Sequence, residues 1–293
     1  MSVVAIGFFD GVHRGHQRIL EGADLAVTFR NHPLTVLNAA KAPRLVMGFE
    51  DRVAAIRSCG VRDVRAFDFT TELAAQSPEE FLSFLQLQLH TSTFSLRCGA
   101  NWRFGRDGEG SPDWLRVHGF SVEVVPSVEY DGGIISSTRI RDCLVRGEIA
   151  AANAMLGRRY RVTGEVVRGK GEGRRLGYPT VNVSLAPHPP SPVSHFPFLI
   201  PHSPFLTLPL GVYQVELCGR RAIANYGLAP TFGDRAWKTP VLEVHLLDGA
   251  ADSSADIGPA VRVEFLRFIR PERRFGSVEE LKAQIAADIA DLV

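Results

Sequence analysis

The chain has 293 residues, of which 45% are hydrophobic and 22% are charged, and its formal net charge at pH 7 is +1. This length allows two domains of ordinary size, and the balanced charge argues against nucleic acid or an anionic membrane surface as a partner. The sequence has no run of about 20 apolar residues, which a membrane-spanning helix requires, so we expect a globular protein without a membrane segment.

The first half of the chain alternates short apolar runs with helical patterns. A capping box predicts the start of one helix, with Ser77 as the N-cap, Pro78 as the first helical residue and Glu80 as the third. Because apolar strands separated by helices are typical of a parallel sheet, we predict a doubly wound α/β domain that binds ligands at the carboxyl ends of its strands. The predicted strands cover residues 3–8, 26–29, 63–67, 94–98 and 120–125, and the predicted helices cover residues 17–25, 50–58 and a segment from residue 78.

The pattern changes after about residue 157, where short segments of alternating polarity are separated by Gly, Pro and Asp. Such segments predict an antiparallel barrel or sandwich. A final helix is predicted to begin after Ser277, which caps it, with Glu280 as its third residue.

The segment between the two halves, residues 137–157, predicts two short helices that meet near Gly147. This segment is the natural boundary between domains. We predict an N-terminal doubly wound parallel-sheet domain over residues 1–156 and a C-terminal antiparallel β-barrel domain with a terminal helix over residues 157–293.

A proline-rich segment, residues 186–209, interrupts the second half. Its prolines exclude a helix or a central strand, yet its phenylalanines and leucines make it too apolar for a solvated linker. Two interpretations stay open: a surface loop that packs on its own barrel, or a lid over a ligand.

The four cysteines stand far apart in the sequence. Their spacing is typical neither of a zinc site nor of a disulfide framework, so we expect reduced thiols. The N-terminus shows no signal-peptide pattern, and together these observations predict a cytoplasmic protein. The cysteines are Cys59, Cys98, Cys143 and Cys218.

Two histidines follow the first predicted strand, in "FDGVHRGH" at residues 9–16. His13 and His16 have three possible roles: metal ligands, core residues or a phosphate-binding pair. A metal would need a further ligand from elsewhere in the chain, and a core role would need side chains that point away from the strand end. A glycine-rich turn frees backbone N–H groups for an anion, and Gly15 allows a ligand to approach closely, so the pattern favours phosphate.

A second candidate segment is "ISSTRIRD" at residues 135–142. Its Ser and Thr residues are good N-caps, and its arginines fall in the first turn of a helix. The segment is either an ordinary capped helix with solvated arginines or a second anion-binding clamp.

These segments resemble the adenylyltransferase half of the prokaryotic-type FAD synthetases, the family of bifunctional riboflavin kinase/FMN adenylyltransferases. The second half of the chain independently resembles the riboflavin kinase half of the same family, and the similar segments follow in family order. They are "FDGVHRGH", "TFRNHP" (28–33), "CGANWRFG" (98–105), "ISSTRIR", "LGRRY", "GRRLGYPTVNV" (173–183), "GVYQV" (211–215), "ANYGLAPTFG" (224–233), "LEVHLLD" (242–248) and "RFIRPERRFGSVEELKAQIAADI" (267–289).

The resemblance implies an enzyme that phosphorylates riboflavin to FMN with ATP and then adenylylates FMN to FAD with release of pyrophosphate. It implies Mg²⁺ as the cofactor and small-molecule substrates as the partners. The alternatives are a chain with only one of the two activities, the kinase being favoured, or a flavin-binding module without turnover. The sequence leaves the oligomeric state open.

The resemblance also assigns residues to the two reactions. For adenylyl transfer it implies His13, His16 and Arg141 as catalytic residues. For riboflavin phosphorylation it implies Thr180 and Asn182 as Mg²⁺ ligands and Glu243 as the general base. The implied nucleotide- and flavin-binding residues are Gly7, Phe9, Asp10, Gly11, Gly15, Asn101, Ser136, Ser137, Thr138, Arg139, Gly177 and Pro179.

The chain departs from the family at Phe8, where the usual residue is Asn. An apolar ring cannot make the side-chain hydrogen bonds of an amide, so we expect Phe8 to change the local order of the nucleotide loop.

Overall fold

The computed structural model describes residues 2–91, 93–169, 171–185, 208–229, 239–248 and 257–292. The chain divides into two compact units, Met1–Ile140 and Arg141–Val293. The domain boundary after residue 156 stays a prediction. Nearly all of the proline-rich segment lies outside the described residues, so both of its interpretations stay open.

The first unit is built on a sheet whose five described strands are all parallel, in the order β3-β2-β1-β4-β5. Alternate residues of β1 pack into two different cores: Val4 and Ile6 lie in one, and Ala5 lies in the other. The sheet is therefore covered on both faces, and the predicted doubly wound parallel sheet is confirmed. The strands are β1 (Ser2–Ile6), β2 (Leu25–Phe29), β3 (Asp63–Phe67), β4 (Phe94–Gly99) and β5 (Val122–Val125), and a separate antiparallel ribbon consists of β6 (Glu129–Tyr130) and β7 (Gly133–Ile134).

The helices of this unit and of the segment that leaves it alternate with the strands along the chain. The capping box that was predicted for α5 is confirmed, because Ser77 Oγ accepts a hydrogen bond from Glu80 N at 3.2 Å and the Glu80 carboxylate accepts one from Ser77 N at 2.7 Å. The helices are α1 (Arg14–Leu20), α2 (Leu34–Leu37), α3 (Phe49–Ser58), α4 (Thr71–Ala74), α5 (Pro78–Gln88), α6 (Pro112–Val117) and α7 (Ser137–Val145).

The predicted bounds of the first helix, 17–25, are wrong at both ends. Helix α1 begins at Arg14 because the ring of His13 caps it, with Nδ1 accepting a hydrogen bond from His16 N at 3.2 Å. It ends at Leu20 because Gly22 adopts φ +73°, a left-handed conformation that terminates a helix. The chain is already in β2 at Leu25.

The second unit contains a closed barrel of six described strands, all paired antiparallel, in the order β10-β11-β12-β9-β8-β13. The sequence allowed a barrel or a sandwich, and the structure has the barrel. The terminal helix is confirmed, and Ser277 Oγ caps it by accepting a hydrogen bond from Glu280 N at 3.1 Å. The elements are α8 (Ile149–Leu156), β8 (Tyr160–Val167), α9 (Glu172–Leu176), β9 (Val181–Ser184), β10 (Gly211–Leu217), β11 (Arg220–Ala229), β12 (Thr239–Leu246), β13 (Ala260–Pro271) and α10 (Val278–Ala290).

Gly147 separates α7 from α8 with φ +76°, so the prediction of two short helices that meet near this residue is confirmed. None of the helices that the structure describes combines the length and the apolar composition of a membrane-spanning segment.

Candidate active sites

The order of the parallel sheet indicates the candidate ligand site of the first unit. From β1 the chain moves to β2 and β3 on one side, and β4 then pairs with β1 on the other side. Ligands of open α/β sheets bind at the carboxyl ends of the two strands where the order reverses. The segment with the two histidines follows β1, and Asn101 lies exposed in the turn after β4.

The two histidine rings are stacked on each other, with centroids 3.6 Å apart and an interplanar angle of 17°. His13 is buried, and its Nδ1 accepts a hydrogen bond from His16 N. When His13 is neutral, its proton is therefore on Nε2, which is the nitrogen that can donate to a ligand. His16 is half-buried, and the edge of its ring meets Phe9 at 5.4 Å between centroids.

A metal ligated by these histidines would need further ligands. Among the described residues, no group of three or more His, Cys, Asp or Glu side chains could hold a metal ion. The role of the pair in phosphate binding stays a prediction.

The loop between β1 and α1 has an unusual backbone. Phe9 and Val12 adopt φ +58° and φ +40°, and Gly11 adopts φ +77°. A positive φ is rare for a β-branched residue such as Val12 and persists only where the surroundings impose it. Such strain clusters at functional sites, so the loop geometry agrees with ligand binding here.

Asp10 supplies part of that constraint. Its carboxylate is buried and accepts hydrogen bonds from Val46 N at 3.0 and 3.2 Å, and its carbonyl accepts one from Ser137 Oγ at 2.9 Å. Asp10 therefore fixes the loop to two other segments. The sequence placed Asp10 among the ligand-binding residues, and this bracing role was not visible in it.

The serine–threonine–arginine segment caps α7. Ser136 Oγ accepts a hydrogen bond from Arg139 N at 3.2 Å. The Arg139 guanidinium donates to the carbonyls of Tyr130 and Gly133, both at 2.7 Å, and so anchors the β6–β7 ribbon. Thr138 is exposed.

Three other predicted residues of the adenylyl-transfer set have simple placements. Gly7 donates its N–H to the carbonyl of Val27 at 3.1 Å, at the end of β1. Arg141 is half-buried in α7 and belongs to the second unit. Gly15 lies beside the ring of His13.

In the second unit, the register of the barrel brings together three polar residues from neighbouring strands. Glu243 of β12 pairs directly with Asn182 of β9 on one side and with Asn225 of β11 on the other. Leu242 and Val244 are fully buried and point into the barrel. Because side chains alternate along a strand, Glu243 and its two partners lie on the outer face.

A cavity of about 610 Å³ opens on this outer face. Glu243, Thr180 and Asn225 line it. Asn225 Nδ2 donates a 3.2 Å hydrogen bond to the carboxylate of Glu272, the residue that follows β13. The cavity is also lined by three arginines, a phenylalanine and two apolar residues of α10, which are Arg270, Arg273, Arg274, Phe275, Leu281 and Ile285.

His245 also lines this cavity, and the sequence analysis did not select it. Its Nδ1 lies 2.8 Å from the carbonyl of Pro179, directly before Thr180, and its ring meets Tyr178 edge-on at 5.4 Å. Because a carbonyl only accepts, Nδ1 carries the proton. His245 lies two residues after Glu243 on β12 and therefore on the same face of the strand, and this spacing is the signal that could have identified it. Gly177, with φ +90°, ends α9 and turns the chain into this segment.

The side chains of Thr180 and Asn182 pack closely against two glycines. A Cβ atom at Gly169 would lie 1.9 Å from Asn182 Nδ2, and a Cβ atom at Gly173 would lie 3.0 Å from Thr180 Oγ1. Glycine at both positions therefore allows the backbone to approach these two side chains. A hydroxyl and an amide oxygen are ligands that suit Mg²⁺ when substrate phosphates complete its shell.

Two protein families match the chain, one within each of the two units. Residues 1–139 match the FAD synthetase family, and residues 156–292 match the riboflavin kinase family. The chain is 32% identical to the bifunctional riboflavin kinase/FMN adenylyltransferase of Bacillus subtilis and 34% identical to that of Escherichia coli K12, in each case over 98% of this chain and 90% of the relative.

A solved structure covers almost the same length. The crystal structure of a protein named as a macrolide-efflux protein from Streptococcus pneumoniae aligns over 99% of this chain and 92% of its own, with a TM-score of 0.81 and 28% identity. Its fold therefore extends over both units.

Proposed function

The chain belongs to the family of bifunctional riboflavin kinase/FMN adenylyltransferases, and from this premise we propose that it converts riboflavin to FMN and FMN to FAD, with ATP as the co-substrate of both steps. The two halves of the chain carry the FAD synthetase domain and the riboflavin kinase domain. The observation that carries the proposal is that each unit has polar side chains assembled at its own site, one at the reversal point of the parallel sheet and one on the outer face of the barrel.

Adenylyl transfer belongs to the first site. The FMN phosphate attacks the α-phosphorus of ATP, the new P–O bond replaces the bond to the β-phosphate, and pyrophosphate leaves. The nucleophile is already ionised, so the chain needs to supply only orientation and positive charge. His13 Nε2–H and His16 donate to the phosphate oxygens as negative charge develops on them, and Arg141 has the same role by its resemblance to the family.

Riboflavin phosphorylation belongs to the second site. Glu243 accepts the proton of the ribityl hydroxyl as the oxygen attacks the γ-phosphorus of ATP and ADP leaves. Thr180 and Asn182 would hold Mg²⁺, which when bound neutralises negative charge on the phosphates of ATP. His245, through its hydrogen bond to Pro179, keeps the Thr180 segment against the barrel.

One of the four cysteines has an environment that suppresses its reactivity. Burial raises the pKa of the Cys98 thiol to about 11, so this thiol is protonated and unreactive at neutral pH. We include a cytoplasmic location in the proposal.

The assay that tests the function contains riboflavin, ATP and Mg²⁺, with chromatographic detection of flavins. We expect FMN to appear first and FAD to follow, and we expect chelation of Mg²⁺ by EDTA to stop FMN formation because riboflavin phosphorylation needs the ion. FMN without FAD would leave only the kinase activity. Bound riboflavin without either product would indicate a binding module.

Gly15→Ala should slow FAD formation selectively. A Cβ atom at this position would lie 3.1 Å from Cε1 and 3.2 Å from Nδ1 of His13, so the ring has to move. Displacement of a positioned group by about 1 Å can lower a rate about 100-fold. Because the His13 ring has to give by only a few tenths of an ångström, we expect a smaller loss, of about 10-fold, in FAD formation from FMN, with FMN formation unchanged. Gly258→Ala is the control, because nothing lies within 4 Å of the added atom there. Equal FAD rates in the two variants would contradict the role of His13.

A further inference from the structure

Arg52 of α3 is fully buried in the first unit, at the carboxyl ends of the sheet strands. Its Nη2 donates to the carbonyl of Phe29, the last residue of β2, and reaches the carbonyl of Arg30 at 3.4 Å. Within the described residues, its Nε and Nη1 have no hydrogen-bond partner. Neither of the two proposed reactions uses this cation.

The guanidinium of Arg52 lies directly against the residue at which the chain departs from its family. Its central carbon is 4.0 Å from the centroid of the Phe8 ring, and the edge of the same ring meets His32 at 4.7 Å. A cation over an aromatic face is an attractive contact that strengthens when both groups are shielded from water. Phe8 therefore gains from Arg52 the order that it cannot gain from side-chain hydrogen bonds.

The charge of Arg52 persists at neutral pH. Burial lowers the pKa of its guanidinium to about 10, and the nearby charge of Asp10 partly opposes that effect. A buried cation with two unpaired nitrogens is unfavourable for stability, and an apolar side chain of similar length would fill the same space without that penalty. The fold alone therefore gives no reason for a charge here, whereas a site for a polyanion does.

The loop connects Arg52 to the proposed nucleotide site. Phe8 packs on the cation, and the next residues, 9–12, form the strained turn that leads into His13. Asp10, whose charge acts on Arg52, is the residue that braces this turn.

We propose that Arg52 is a positioning residue for ATP in the parallel-sheet domain: its guanidinium fixes Phe8, and through it the turn 9–12, and it supplies a fixed positive charge on the protein side of the loop that receives the triphosphate. This inference rests on the proposed adenylyl transfer and adds a determinant of nucleotide affinity to it. Because the charge acts on bound ATP before and during reaction, its loss raises KM for ATP more than it lowers kcat.

The test compares Arg52→Met with Arg57→Met, which removes an exposed arginine from the same helix. Arg52→Met is expected to raise KM for ATP in FAD formation about tenfold, which corresponds to about 1.4 kcal/mol, without slowing FMN formation by the same molecule. Arg52→Lys keeps the charge but lacks the planar fork that stacks on Phe8 and reaches Phe29, and it should give a smaller rise. Arg57→Met should leave KM unchanged.

A structural role alone would lower the thermal midpoint of unfolding of Arg52→Met and leave KM for ATP at the Arg57→Met value, and that result overturns the inference. If Arg52→Met does not fold, as judged by loss of a cooperative thermal unfolding transition that Arg57→Met retains, Arg52→Lys decides: an unchanged KM in that variant also overturns the inference.

Calorimetric titration with ATP distinguishes a failure of the Arg52 inference from a failure of the proposed function. We expect Arg52→Met to weaken one of two ATP-binding events. Wild-type protein that forms no FAD would contradict the proposed function, whereas identical ATP titrations of Arg52→Met and Arg57→Met would contradict the role of Arg52.

Discussion

Glu243→Gln is expected to abolish FMN formation from riboflavin while the conversion of supplied FMN to FAD continues at the wild-type rate. The carboxylate lies on the outer face of β12, lines the cavity, and pairs with Asn182 and Asn225. Glutamine keeps the size of the side chain and one acceptor oxygen but cannot accept a proton from the ribityl hydroxyl. General-base catalysis contributes about 10²–10⁴ to a rate, so we expect a loss of that order.

The control for this variant is Glu264→Gln on β13. Glu264 also lies on a barrel strand and contacts Arg159 at 3.6 Å across a partly exposed ion pair, an interaction that contributes at most about 1 kcal/mol to stability. FMN formation by Glu264→Gln should equal that of the wild type. Near-normal FMN formation by Glu243→Gln would refute the assignment of Glu243 as the base.

The second large effect is expected for His16→Ala, which should accumulate FMN and form almost no FAD. The ring of His16 stacks on that of His13 at 3.6 Å, so its removal deletes one phosphate donor and also the surface that orients the other. Loss of one donor to developing negative charge lowers a rate about 10²–10³-fold. The measurement is the ratio of FAD to FMN over time with riboflavin as the starting substrate.

His118→Ala is the matched control for His16→Ala. His118 is exposed in the same unit, at the C-terminal end of α6, and its ring stacks on Trp114 at 3.8 Å. It should form FAD at the wild-type rate. An unchanged FAD yield in His16→Ala would remove the stacked pair from the mechanism.

Local signals predicted the elements that depend on neighbouring residues. The capping box of α5 and the Ser277 cap of α10 were readable because each involves side chains within three residues of each other. The end of α1 was misplaced because Gly22 was read as part of a helical pattern and not as its terminator. The start of α1 was missed because a histidine ring, unlike Ser or Asp, is not an expected N-cap.

Long-range relations were beyond the sequence. Alternating polarity gave the strands of the second unit but could not distinguish a barrel from a sandwich, because closure depends on pairing between β8 and β13. The contact of Asp10 with Val46 spans 36 residues, and no local pattern encodes it. The packing of Phe8 on Arg52 was invisible for the same reason, because the sequence shows only that the side-chain hydrogen bonds of an amide are lost at this position.

Strand β12 contributes to both sides of the barrel wall. Leu242, Val244 and Leu246 fill the interior, and Glu243 and His245 face the cavity. We expect substitutions of the three interior residues to change mainly the thermal midpoint of unfolding. We expect substitutions of the two cavity residues to change mainly kcat. Alternate positions of this one strand therefore allow resistance to thermal unfolding and catalytic rate to vary separately.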